Sequence, residues 1–184
     1  MAIRTASTGQ LNRHKPKPNP APAIERVFYA WSFNMASPIA RGLRSHNPGN
    51  IDFNPRNDWY GQLGLEEGVT RPRFARFDSP ENGIRAMAKL LLNYRGKDGM
   101  PGIGALGIDT VRETISRWAP GNENDTEAYI AAVARVVGVG PNQSINIHDP
   151  HTLHRMVTAI ITHENGCNPY TRAVLDEGMR RALA

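Results

Sequence analysis

The stretch that most constrains this chain is an amphipathic segment ending in His163-Glu164-Asn165-Gly166. Residues at helical spacing form one stripe that is apolar until its last position: Leu153, Val157, Ile160, Ile161 and Glu164. Asp149 is a favourable N-cap, Pro150 suits the first helical position, and Gly166 suits the left-handed position after the last turn. These signals predict a helix from about 150 to 165, with Glu164 at the end of its buried face.

The position of Glu164 bears on its chemistry. A carboxylate there loses hydration and lies near the negative end of the helix dipole, and both effects favour its protonated form. A protonated Glu at neutral pH is a general acid. The alternative is that Glu164 turns into solvent, as residues of a last helical turn often do. Glu164 is therefore a candidate catalytic residue.

Capping residues and apolar periodicity predict five helices after residue 78. Their expected first residues or caps are Pro80, Thr110, Asn124 or Asp125, Asp149 and Thr171. Gly178 is expected to interrupt the last helix. Short extended pieces near 50–53 and 73–77 are expected to pair as a hairpin. We therefore predict a mainly α-helical (α+β) domain over residues 41–184, with at most a small β-hairpin.

Residues 1–40 have a different composition. Residues 1–45 carry seven Lys or Arg and one acid, for a net charge of +6, which leaves −1 for the remainder of the chain. Alternating prolines at 16–22 remove amide donors and favour an extended conformation, and an aromatic cluster follows at 27–35. We predict that residues 1–40 form a basic, extended arm that attaches the chain to partner proteins; the aromatic cluster would be covered by the chain's own domain or, as the alternative, by a neighbouring subunit. Contact with nucleic acid or an anionic cell wall, and a merely solvated tail, are the alternatives.

Several classes of protein are excluded or disfavoured by the sequence. Cys167 is the single cysteine, so no intrachain disulfide can form. The first residues lack the apolar core of a signal peptide and no segment is suited to crossing a bilayer, so we expect folding in a cytoplasm. The glycine-rich segment 96–107 lacks the preceding strand of a nucleotide-binding loop. Four histidines at 148–163 lack a metal-binding register, so no metal and no cofactor are expected.

The residues around Glu164 resemble a known catalytic segment. His163-Glu164-Asn165-Gly166-x-Asn168-Pro169-Tyr170 is similar to the helix end that carries the single catalytic Glu of lysozyme-superfamily enzymes, the lytic transglycosylases and glucosaminidases. A wider set of motifs resembles a family of bacteriophage virion-associated proteins predicted to degrade peptidoglycan: Arg41-Gly42-Leu43-Arg44, Asn47-Pro48-Gly49-Asn50-Ile51, Phe77-Asp78-Ser79-Pro80-Glu81-x-Gly83-Ile84-Arg85 and Arg117-Trp118-Ala119-Pro120. This resemblance covers roughly residues 41–180 and implies a lysozyme-like fold.

The resemblance also implies roles for individual residues. Glu164 would protonate the glycosidic oxygen and then act as a base while the 6-hydroxyl of the sugar closes an anhydro ring. The substrate-binding residues would be Asn47, Gly49, Asn50, Tyr129 and Asn165, with Tyr129 on the opposite wall of the cleft. The alternative for Tyr129 is core packing beside Val133 and Val136. In the transglycosylases the catalytic Glu precedes the substrate segment, so either the helices are circularly permuted here or the match at 163–170 is fortuitous.

Hydrolysis of a glycoside usually needs a second carboxylate. The candidates are Asp78, Glu123, Asp125 and Glu127. Helix capping explains Asp78 and Asp125, and Glu127 fits a capping box. This leaves Glu164 as the principal candidate and favours a transglycosylase mechanism of the kind that the resemblance implies.

The expected function is that of a phage virion component that binds and cleaves peptidoglycan glycan strands when the phage enters its host. Its partners would be peptidoglycan, other virion proteins through residues 1–40, and further copies of the chain in the particle. It would be made in the host cytoplasm and act in the periplasm. The alternatives are a structural virion protein with the fold but no activity, and a virion protein whose arm contacts nucleic acid.

Overall fold

The computed structural model describes residues 39–94, 108–120 and 125–184. The elements of that part follow in this order: α1 (Arg41–Arg44), β1 (Gln62–Leu65), β2 (Ala75–Phe77), α2 (Pro80–Tyr94), α3 (Val111–Trp118), α4 (Thr126–Val137), α5 (Pro150–Asn165) and α6 (Arg172–Leu183). The predicted mainly α-helical fold with one small hairpin is confirmed. The predicted arm up to residue 38 and the glycine-rich segment 96–107 lie outside the described residues.

The helices begin where the capping residues predicted. Thr110 accepts a hydrogen bond from the backbone of Glu113, whose side chain bonds back to the Thr110 amide at 3.0 Å, so the capping box opens α3. Asp125 accepts from Ala128 at the start of α4. The side chain of Thr171 accepts from the Val174 amide at the start of α6. Each cap satisfies backbone amides that have no partner within the first helical turn.

The hairpin differs in part from the expectation. β1 pairs antiparallel with β2, with Gln62 opposite Phe77 and Leu65 opposite Ala75. The segment 50–53, which we expected to be the partner of 73–77, contributes an isolated bridge between Asp52 and Phe74. β1 was not predicted from the sequence. A glycine lies inside it and the pairing register shifts between Gln62 and Gly64, and both features weaken the alternation of residues that identifies a strand.

The last helix runs through Gly178 without the predicted interruption. Gly178 instead allows α6 to approach α2 closely. A Cβ atom at this position would come within 2.6 Å of Cγ2 of Ile84 and 3.0 Å of the Glu81 carbonyl oxygen. The glycine is therefore explained by helix packing.

The core is built around the apolar stripe of α5, as the periodicity predicted. Leu153, Val157, Ile160 and Ile161 have no exposed surface, and α5 packs against α4. This packing brings the end of α5 next to Tyr129, which lies in the first turns of α4. No helix in the described part of the chain is long and apolar enough to cross a membrane.

Candidate functional site

Glu164 lies in the last turn of α5, where the predicted signals place it. The side chain of Asp149 accepts a hydrogen bond from the Thr152 amide at 2.8 Å and caps the start of the helix. Gly166 ends the helix in the left-handed conformation, with φ at 73°. Glu164 itself is half-buried, so its carboxylate contacts the protein on one side and stays accessible on another.

Two hydrogen bonds hold the carboxylate of Glu164. Nδ2 of Asn50 donates to Oε2 at 2.9 Å, and the hydroxyl of Tyr129 donates to Oε1 at 2.9 Å. Asn50 comes from the turn after α1 and Tyr129 comes from α4, so three distant segments meet at one carboxylate. A carboxylate has about four lone-pair directions. Each oxygen of Glu164 therefore keeps capacity for a further partner.

The turn that carries Asn50 is fixed by Asn47. The Asn47 side chain is completely buried; its Oδ1 accepts from the Ile51 amide at 2.9 Å, and its Nδ2 donates to the carbonyl oxygens of Ile51 and Ala75. Asn50 adopts a left-handed backbone with φ at 50°, which asparagine tolerates better than most residues with a side chain. Asn47 thus shapes the turn, while Asn50 contacts Glu164.

Asn165 connects the end of α5 to the same turn. Its Nδ2 donates to the carbonyl oxygens of Pro48 at 2.7 Å and Ile161 at 2.9 Å. Gly42 of α1 lies against both asparagines, because a Cβ atom there would stand 2.7 Å from Oδ1 of Asn50 and 2.8 Å from Oδ1 of Asn165. The absence of a side chain at Gly42 is therefore part of what allows Asn50 to reach Glu164.

Glu164 opens onto a groove of about 770 Å³. This volume is within the usual range for ligand sites, about 300–1,000 Å³. Leu90, Tyr94 and Trp118 line it with apolar and aromatic surface, and Asn54 and Asn57 line it with amide groups. The groove therefore offers both flat apolar faces and hydrogen-bonding groups near one carboxylate.

Gly49 lines the groove beside Trp118. A Cβ atom at Gly49 would stand 2.7 Å from Cζ2 of Trp118, so the indole packs directly on the backbone of the turn. The aromatic surface and the turn that carries Asn50 are thereby held together.

Tyr129 contacts Glu164 from inside the protein. The residue has no exposed surface, and the imidazole of His163 stacks on its ring, with centroids 3.5 Å apart and an angle of 10° between the planes. Burial, and then the nearby carboxylate of Glu164, raise the pKa of the Tyr129 hydroxyl. The hydroxyl therefore stays protonated and acts as a donor. This is the core position that was the alternative for Tyr129, and the residue does not line the opposite wall of the groove.

Three of the predicted site residues line the groove: Gly49, Asn50 and Glu164. Tyr129 contacts the carboxylate from the core. Nδ2 of Asn47 and Nδ2 of Asn165 both donate to backbone carbonyl oxygens. The structure thus brings all six predicted site residues together. Three of them line the groove, and the other three lie behind these and support them.

The groove also contains a carboxylate that the sequence analysis did not single out. Asp52 lines it and accepts a hydrogen bond from Nε of Arg73 at 2.6 Å. Its signal in the sequence was its place directly after Asn50-Ile51, which puts it on the strand-like segment leaving the turn. Trp118 and Tyr94 also line the groove, and neither was a candidate site residue from the sequence.

The earlier candidates for a second carboxylate have other partners. Asp78 accepts from Nδ2 of Asn82 at 2.7 Å, Asp125 caps α4, and the carboxylate of Glu127 pairs with Arg112. Of these three, none lines the groove that Glu164 opens onto. Glu123 lies outside the described residues.

The histidines do not form a cluster in the described part of the chain, where no group of three or more His, Cys, Asp or Glu is arranged to hold a metal ion. His154 lies 3.6 Å from the carboxylate of Asp176. His163 stacks on Tyr129 instead.

Comparison with known proteins identifies an informative relative. The chain is 38% identical over 160 residues to protein P5 of Pseudoalteromonas phage PM2, and the match covers 86% of this chain and 89% of P5. No protein-family model matches the sequence.

Proposed function

This chain belongs to the same family as protein P5 of Pseudoalteromonas phage PM2, and on that premise we propose that it is a virion component that binds and cleaves peptidoglycan glycan strands. The observation that carries the proposal is the carboxylate of Glu164, held on both oxygens by Asn50 and Tyr129 beside a groove. An oriented carboxyl group at a groove can act as the general acid for glycoside cleavage, and where the 6-hydroxyl of the sugar is the nucleophile no second carboxylate is required.

The groove suits a polysaccharide. A pyranose ring has apolar C–H faces and hydroxyl or acetamido groups at its edge. Tyr94 and Trp118 offer flat surfaces for the faces, while Asn54 and Asn57 offer donors and acceptors for the edge. The proposed substrate is therefore a glycan strand that lies along the groove with one glycosidic oxygen at Glu164.

The proposed reaction uses Glu164 twice. Its carboxyl group donates a proton to the glycosidic oxygen as the bond from that oxygen to C1 breaks. The 6-hydroxyl of the same sugar then attacks C1 and gives its proton to the Glu164 carboxylate, which closes an anhydro ring and restores the acid. Attack by water in place of the 6-hydroxyl would give hydrolysis. Asn50 and Tyr129 orient the carboxylate in both steps and neither exchanges a proton.

Transport to the cell wall would be supplied by the particle. In this proposal residues 1–40 attach the chain to other virion proteins, and further copies of the chain assemble with it. The catalytic domain then meets peptidoglycan in the periplasm when the phage enters its host.

The test is muropeptide release by the purified full-length chain from several peptidoglycans, with products identified by mass spectrometry. Anhydro products, each lighter by one water than the hydrolysis product, would support the transglycosylase mechanism, and reducing ends would support hydrolysis. If no peptidoglycan releases muropeptides, the enzymatic proposal fails and the structural virion protein without activity replaces it.

A further inference from the structure

The side chain of His163 covers the ring of Tyr129. His163 is exposed, whereas Tyr129 is completely buried. Their ring centroids are 3.5 Å apart and their planes are nearly parallel. The cover over this face of the phenol ring is therefore a solvent-exposed imidazole.

Two adjacent residues of α5 hold the same tyrosine of α4. Oε1 of Glu164 accepts the hydrogen bond from the Tyr129 hydroxyl at 2.9 Å, and His163 contacts the ring. A hydrogen bond fixes the position of the hydroxyl oxygen but leaves the plane of the ring free to tilt. Tyr129 belongs to the hydrophobic core, and the stacking contact restrains the plane of its ring on the face that His163 covers. The hydrogen bond, the core and the stacking contact together define the orientation of the phenol.

We propose that His163 is a positioning residue, whose ring holds Tyr129 in the orientation that donates to Glu164 and keeps water from that hydrogen bond. The inference rests on the proposed function of Glu164. His163 is not among the described residues that line the groove, so it acts through Tyr129 and does not contact the substrate.

This role predicts a specific kinetic effect. Without the imidazole, one face of Tyr129 loses its cover and the ring can tilt, so Tyr129 orients the Glu164 carboxylate less firmly. Small misplacements of a reacting group lower the rate of the chemical step, whereas the substrate contacts made by the groove are unchanged. The kcat for cleavage should therefore fall while KM stays nearly constant.

The experiment compares three variants of the full-length chain. His163→Ala removes the ring, His163→Phe keeps a planar ring, and Thr162→Ala is the matched control at the neighbouring exposed position of α5. Measured quantities are kcat and KM for muropeptide release, the melting temperature, and the ¹³C resonances of the tyrosines, with Tyr129 assigned from Tyr129→Phe. We expect His163→Ala to lower kcat roughly tenfold or more and to shift the Tyr129 resonance, while His163→Phe restores most of the activity.

The outcomes separate this inference from the proposed function. Unchanged kcat in His163→Ala, or equal losses in His163→Ala and His163→Phe, would overturn the role of the ring contact and leave the proposed function intact. If the wild-type chain releases no muropeptides, the proposed function fails and the Tyr129 resonance decides the inference. An unshifted resonance in His163→Ala would then overturn it, and a shifted one would support it.

Discussion

Nδ2 of Asn50 donates a hydrogen bond to Oε2 of Glu164 across 114 positions of the chain, at a distance of 2.9 Å. This bond connects the turn after α1 with the last turn of α5. It orients the carboxylate that opens onto the groove.

Replacing Glu164 with Gln should remove activity without unfolding the protein. The amide oxygen of Gln can accept from Asn50, and its nitrogen can donate to the Tyr129 hydroxyl in a hydrogen bond of reversed direction, so both contacts are kept. Loss of a positioned general acid costs about 10²–10⁴-fold in rate. The rate of muropeptide release should fall by about 10²-fold or more, with the melting temperature nearly unchanged. Glu67→Gln, at an exposed carboxylate outside the groove, is the control, and wild-type release by Glu164→Gln would remove Glu164 from the mechanism.

Asn50 can be tested with two substitutions that separate its amide from its backbone. Glycine accepts the left-handed φ of 50° without strain, so Asn50→Gly should keep the melting temperature and lose activity. Asn50→Ala should lower both the melting temperature and the activity, since a left-handed non-glycine residue costs roughly 1–2 kcal/mol. Thermal melting and muropeptide release measure the two effects. Full activity in Asn50→Gly would show that the amide does not matter.

Gly42→Ala should disturb the site through the side chains of Asn50 and Asn165. The new Cβ atom would stand 2.7 Å from the Asn47 carbonyl oxygen, besides pressing on the amide oxygens of Asn50 and Asn165. Overpacking of this kind typically costs about 1–3 kcal/mol, and it should also displace Asn50 from Glu164. Gly140→Ala is the matched control, because a Cβ atom there has its nearest neighbour at 3.9 Å. Equal melting temperatures and activities for the two variants would contradict the packing argument.

The ion pair between Arg41 and Glu66 should make stability depend on acid pH. Glu66 is only 3% exposed. Burial alone would raise its pKa, but hydrogen bonds from Arg41 and from the amides of Phe74 and Arg73 lower the pKa to about 2, from an ordinary value of 4.5. Because the folded pKa is the lower one, the stabilisation is complete above about pH 4.5 and is lost as the pH falls through about 2.

Denaturant unfolding of Glu66→Gln across this pH window checks that conclusion. The variant should be less stable than the wild type at pH 7 by roughly 2–3 kcal/mol and should lose less stability between pH 4.5 and 2. Glu127→Gln, which breaks an exposed pair with Arg112, should change little. Parallel profiles of stability against pH for Glu66→Gln and the wild type would exclude Glu66 as the source of the acid-dependent loss of stability.

Removal of residues 1–38, which is all of the arm except its last two residues, should separate folding from assembly. A chain that begins at Ile39 keeps the Ala40 carbonyl oxygen, which accepts the first hydrogen bonds of α1, so the domain should stay folded and soluble. Incorporation into particles should be lost, as judged by the amount of protein in purified virions. Normal amounts would refute the anchoring role. If the arm instead binds nucleic acid, its binding should weaken steeply between about 50 and 200 mM salt.

The local features of this protein were predictable from sequence because they depend on neighbouring residues. The stripe and caps of α5 defined the helix and put Glu164 in its last turn, and the capping box of Thr110 defined the start of α3. Such signals act over three or four residues, within one element. The turn at 47–50 is local in the same sense, because Asn47, Pro48 and Gly49 are residues that favour turns by their own backbone preferences.

Only the tertiary structure decided which residues of those elements meet. Asn47 and Asn50 are equivalent in a turn pattern, yet the approach of α5 and the left-handed backbone of Asn50 direct one amide inward and the other to Glu164. Tyr129 lies behind the carboxylate because α4 packs on α5, and Asp52 lines the groove because its segment bridges to Phe74. Contacts across more than a hundred residues depend on how whole faces pack, and no local periodicity encodes that packing.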